Sequence, residues 1–143
     1  MNTLCLLVSI AELPNELIRE IYNYIPIIVL VFINKTNYNL YHKLIRRTIP
    51  HYENYIRDIV RRDNDFVFYK IVEENYTRWI TMKKYMYKNT VYNNYISFLI
   101  DYCIQNASEK CRNTMMTFLK NVGLCQNQHK KNVCKHIRWK KLT

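Results

Sequence analysis

Apolar residues along this chain recur mainly at helical spacing. Leu17, Ile18, Ile21, Tyr22 and Ile25 form one stripe, with Glu16, Arg19, Glu20 and Asn23 opposite. This predicts an amphipathic helix with Pro14 in its first turn, stopped at Tyr24 or Ile25 by Pro26. The next stretch, IIVLVFINK, is apolar on all sides and is expected to be a short buried helix. A third helix, roughly 36–47, carries Tyr38, Tyr41, Leu44 and Ile45. From Pro50 a helix is expected to about Arg62, with Tyr52, Tyr55, Ile56, Ile59 and Val60 inward. Another starts at Asn64 or Asp65 and ends near Asn75. A short helix follows over TRWITMKKYMYKN, with Trp79, Ile80, Met82 and Met86. Thr90 then caps the longest helix, with Val91, Tyr95, Phe98, Leu99, Tyr102 and Cys103 on one face. Ser108 caps the next, with Cys111, Met115, Phe118, Leu119 and Val122 inward and Gly123 at its left-handed end. A last, basic helix is expected over about 127–140.

The expected fold class is all-α. The chain has 143 residues with one glycine and three prolines, fewer turn residues than β-rich folds need. The texture changes near Pro50, so the expected division is a module over 12–47 and a helical domain over 50–143 with a basic tail. FVFYKIVEENY and MTFLKNVGL both read as the second helix of a helix pair followed by a polar turn. Degenerate helix-pair repeats of the ankyrin kind would look this way, although their threonine-proline-leucine-histidine turn signature is absent.

Charge refines this picture. The formal net charge is +11, a balance that often marks nucleic-acid binding. Asn, Ile, Tyr and Lys number 17, 17, 13 and 13, and all four have A/T-rich codons, so codon usage alone would raise the lysine count. It does not account for the asymmetry. Residues 1–50 sum to +2 and residues 51–109 to zero, whereas residues 110–143 hold nine basic groups and no acid. The tail QHKKNVCKHIRWKK therefore offers Lys130, Lys131, Lys135, Arg138 and Lys140, with Trp139 between them, as candidate anion ligands. The same lysines also fit a solvated helix face or a nuclear-import signal.

The residues LPNELIREIYNYI (13–25), the apolar segment to Ile33 and the helix NKTNYNLYHKLI resemble an F-box. Leu13, Pro14, Glu16, Leu17, Ile21, Ile25, Leu30 and Ile33 hold the motif positions, with Tyr38 where a tryptophan is usual. The resemblance covers about 35 residues. It implies a three-helix module that docks on the adaptor Skp1 of a cullin-type ubiquitin ligase. The partner-binding residues would be Leu13, Pro14, Leu17, Ile18, Ile21, Tyr22, Ile25, Leu30 and Ile33. The part after residue 50 would present an unknown protein target. The Tyr/Asn/Lys-rich tract behind this start is similar to short F-box-like proteins encoded by large DNA viruses of algae and protists. That implies action in the cytoplasm or nucleus of a host cell. The alternative is a basic helical nucleic-acid-binding or structural protein of such a virus.

Other chemistry is sparse. The five cysteines are irregularly spaced and odd in number, which fits reduced thiols rather than a disulfide framework. Cys125, His129, Cys134 and His136 form a C-x3-H-x4-C-x-H cluster, a spacing of no standard zinc finger; the alternative is core cysteines and surface histidines. No Ser-His-Asp, H-E-x-x-H, P-loop or G-x-G-x-x-G pattern exists, so neither an enzyme nor a cofactor is expected. The opening MNTLCLLVSIAEL lacks a basic n-region and a clear cleavage site, so no secretory signal is expected. The run Ile25 to Ile33 is far short of the ~20 residues that span a bilayer, so no membrane role is expected.

Overall fold

The computed structural model describes residues 13–123 and, as backbone, the strand Lys135–His136. The chain is mostly helical and divides into two compact units, Met1–Tyr52 and Glu53–Thr143. No helix among the described residues is long and apolar enough to cross a membrane.

The first unit is a series of short helices. Helix α1 (Asn15–Tyr24) starts behind Pro14, whose carbonyl accepts the N–H groups of Leu17 and Ile18 at 3.0 and 3.1 Å. Pro14 thus sits at the N-cap, just ahead of the first turn. Ile25 is extended, as a residue before proline prefers, and the helix ends at Tyr24. Helix α2 (Ile27–Leu30) is a single turn behind Pro26. The Asn34 side chain accepts the Asn37 N–H at 2.7 Å and caps α3 (Lys35–Tyr41), which tightens through a 3-10 turn (His42–Leu44) into α4 (Ile45–Thr48). The Tyr38 and His42 rings stack with centroids 5.6 Å apart.

The second unit holds two helix pairs and a small sheet. Helix α5 (Tyr52–Arg61) buries Ile56, Ile59 and Val60. Helix α6 (Asp65–Thr81) starts at Asn64, whose side chain accepts the Val67 N–H at 3.2 Å. Helix α7 (Tyr95–Gln105) and helix α8 (Glu109–Asn121) form the second pair. The two inter-helix turns share one hydrogen-bond pattern, that of a helix ended by a left-handed residue. Asp63 (φ 49°) donates to Val60 and Asn64 to Ile59; Ala107 (φ 54°) donates to Ile104 and Ser108 to Cys103. Corresponding residues lie 44 positions apart. The same offset relates buried Val67, Ile71 and Asn75 of α6 to buried Cys111, Met115 and Leu119 of α8.

The two turns also bond to each other. Ser108 makes no cap bond with its own helix; its Oγ donates to the Val60 carbonyl at 2.7 Å. Asp63 caps α8 instead, accepting the Lys110 and Cys111 N–H groups at 3.2 and 2.9 Å. Burial pushes the Asp63 carboxyl up, but these backbone donors outweigh it and hold the group below its ordinary value.

Between the pairs lies a sheet of order β1-β2-β3, all antiparallel. Strands β1 (Lys83–Tyr87) and β2 (Thr90–Asn94) form a hairpin, and β3 (Lys135–His136) pairs with β2 through Val91↔Lys135 and Thr90↔His136. Three expectations are corrected here. The protein is not purely α-helical, and TRWITMKKYMYKN is not a separate helix. Its first half extends α6 to Thr81 and its second half is β1. Tyr85 and Tyr87 explain the strand: alternate positions carry both rings onto α7, against Phe98 at 4.9 and 4.8 Å. Thr90 is no helix cap; it pairs with Tyr87, Val91 lies in β2, and Asn94 caps α7 by accepting the Ser97 N–H at 2.8 Å. The expected 127–140 helix lies outside the described residues, except that Lys135–His136 is strand.

Candidate docking surface

The first unit fully buries only Val31, Tyr38 and Ile45 among its described apolar residues. Helix α1 fully buries none, despite its five-residue stripe. Of the nine expected partner-binding residues, Pro14, Leu17 and Ile33 are exposed, while Leu13, Ile18, Ile21, Tyr22, Ile25 and Leu30 are half-buried. Leu17 is 51% exposed. The acidic residues of α1, Glu16 and Glu20, are exposed as well.

The expectation that IIVLVFINK is buried is corrected. Val31 is buried, but Ile27, Val29, Phe32 and Ile33 are exposed, Phe32 at 55%. A unit of about 40 described residues has too little interior to enclose a run that is apolar all round. Tyr24 and Leu40, at 81% and 65%, extend the exposed apolar surface of this unit. Each falls beside a helical stripe rather than on it.

The second unit differs in chemistry. Its described thiols Cys103 and Cys111 are free and buried. Burial first, then the nearby Asp63 carboxylate, pushes Cys103 up to about 12; burial first, then Cys103 and the bond to Asp63, raises Cys111, so neither is an activated nucleophile. Tyr85 donates to Glu53 at 2.9 Å, and burial together with that bond raises its hydroxyl to about 12. Tyr92 donates to Asp101 at 2.7 Å, and Gln105 to the same oxygen at 2.6 Å. An open groove of about 390 Å3 runs along α6 and α8, with Asp65, Lys110, Asn113 and Asn121 beside Tyr69 and Phe118. Val122, expected inward, is exposed at the end of α8.

The expected anion ligands Lys130, Lys131, Arg138 and Lys140 lie outside the described residues, and Lys135 is placed only as backbone in β3. Cys125, His129 and Cys134 lie outside them as well, and His136 is placed only as backbone. Among the described residues no group of three or more His, Cys, Asp or Glu side chains could hold a metal ion. No protein-family model, curated protein or solved structure matches the chain.

Proposed function

We propose that the first unit is an F-box-like docking module for a Skp1-like adaptor, and that the C-terminal helical part presents a protein target to the attached ubiquitin ligase. The protein acts as an adaptor rather than an enzyme, in the cytoplasm or nucleus of a host cell. One observation carries this reading: α1 is strongly amphipathic yet fully buries no residue. Burying a leucine or isoleucine side chain completely is worth ~1.5–3 kcal/mol. Leu17, Ile27, Val29, Phe32 and Ile33 are each 41–55% exposed, so on the order of 5 kcal/mol of apolar burial is left for a partner to claim. The Leu-Pro start and the spacing of Leu17, Ile21 and Ile25 are the features that point to a Skp1-like partner. The twofold helix-pair pattern of the second unit supports a target-presenting part built from degenerate ankyrin-like units, with the α6–α8 groove as its contact.

The test is titration calorimetry of the whole chain with a Skp1 protein. Binding that Leu17→Asp and Ile33→Asp each weaken tenfold or more, with the helical circular-dichroism signal unchanged, supports the proposal. No heat of binding from the unaltered, folded chain rejects it.

A further inference from the structure

The three strands come from two of the chain's acid-free stretches; a further one, residues 21–52, lies in the first unit. No Asp or Glu occurs between Asn75 and Ile100, which contain β1 and β2, and none follows Glu109, in the stretch that contains β3. The two stretches are separate in sequence. Pairing of Val91 with Lys135 and Thr90 with His136 joins them in one sheet. The hairpin contributes Lys83, Lys84 and Lys88, all exposed. None of the three has a carboxylate partner among the described residues, where the ion pairs join Arg57 to Glu53, Arg62 to Asp58 and Lys70 to Glu73. The carboxylates bonded to the strands are already engaged: Glu53 by Tyr85 and Arg57, Asp101 by Tyr92 and Gln105.

Backbone conformation adds a second, independent observation. Lys84 and Lys88 have φ of 57° and 52°, a left-handed region in which asparagine is tolerated far better than lysine. Asparagine codons are as A/T-rich as lysine codons, and the chain holds 17 asparagines. Codon usage therefore does not explain why lysine stands at both strained positions; a need for cationic charge does, the Lys88 charge being engaged in part by the Tyr87 ring, 5.6 Å from its Nζ. Met86, 61% exposed, lies in the row Met86–Val91–Lys135 across the sheet.

We propose that this sheet binds nucleic acid through the phosphate backbone. The inference is independent of the adaptor reading, since the first unit contributes nothing to it. A regular polyanion neutralises many scattered lysines without demanding fixed geometry. An acidic protein would need an apolar centre to the contact, and Met86 alone is a large exposed apolar residue on the sheet.

Fluorescence anisotropy of the full chain with labelled 20-nucleotide single-stranded RNA and DNA, and with duplex, across 50–300 mM salt, tests this. The expected result is sub-micromolar binding at low salt that weakens steeply with salt. The triple variant Lys83→Gln, Lys84→Asn, Lys88→Asn should reduce affinity at least tenfold and flatten the log–log salt slope by about 2 for single strands. Lys43→Gln, Arg46→Gln and Arg47→Gln in the first unit, also exposed, remove the same charge and should change affinity less than threefold. Equal losses from the two triples would show diffuse attraction and overturn the proposal. So would absence of binding at low salt, or equal affinity for poly-glutamate, which would point to an acidic protein instead. Thermal melting of each variant keeps folding separate from binding.

Discussion

The two units draw on similar stocks of apolar residues and use them differently. Among the described residues, eighteen apolar side chains are buried in the second and three in the first. The second unit can close because its aromatic residues converge. Tyr85, Tyr87, Tyr92, Tyr95 and Tyr102 all pack on Phe98, and Trp79 lies 5.1 Å from Tyr95. Among its described residues the first unit has helices of ten, four, seven and four residues and no sheet to close against, so its apolar faces stay half-covered. Apolar content alone does not make a core; the area that neighbouring elements can enclose does.

Substitutions at four positions probe that contrast. The largest effect belongs to Phe98→Ala, which empties the centre of the aromatic cluster and should lower stability by about 3–5 kcal/mol, read as a large fall in urea midpoint. A loss under 1 kcal/mol would mean the cluster does not hold the second unit together. Next is Asp63→Ala, which deletes the cap of α8 and leaves alanine at φ 49°; a cost of about 1–2 kcal/mol is expected. Because the folded Asp63 carboxyl is held below its ordinary value, its contribution is complete above the unfolded pKa and disappears as pH falls through the lower folded one. Asp63→Asn should flatten that acid limb of the stability–pH curve. Third, Lys88→Asn relieves a left-handed lysine and should raise stability by up to about 1 kcal/mol while weakening nucleic-acid binding. A gain in one and a loss in the other separates charge from fold. Smallest is Leu17→Asp, expected to shift stability by no more than about 0.5 kcal/mol because the side chain is half in solvent. A drop of 2 kcal/mol or more would place Leu17 in a core and remove the basis of the docking surface.

The amphipathic helices were legible in the sequence because their stripes are dense and bounded. Pro14 and Pro26 bracket α1, and the polar stretch Arg61–Asp65 separates α5 from α6. The hairpin was not legible for a specific reason. Met82 and Met86 fit helical spacing as well as Tyr85 and Tyr87 fit strand spacing, and the link Lys88–Asn89 lacks the glycine that usually betrays a two-residue turn. Thr90 obscured Asn94 as the cap of α7, since both residue types cap helices. The apolar stripe of α1 was legible directly, but its exposure was not, because exposure depends on what the rest of the unit can cover. The meeting of β2 with β3 is a non-local pairing across more than forty residues, and no local pattern announces it.

The reciprocal bonds between the two helix-pair turns have a consequence for how the second unit comes apart. Ser108 reaches back to Val60 while Asp63 reaches forward to Lys110 and Cys111. Neither pair can fray at its turn without stripping the other of a hydrogen-bond partner, so the four helices should open as one cooperative unit. In native-state hydrogen exchange, the Ile59 and Val60 amides of α5 and the Met115 amide of α8 should then share one opening free energy and one denaturant dependence, although they belong to different halves of the pattern.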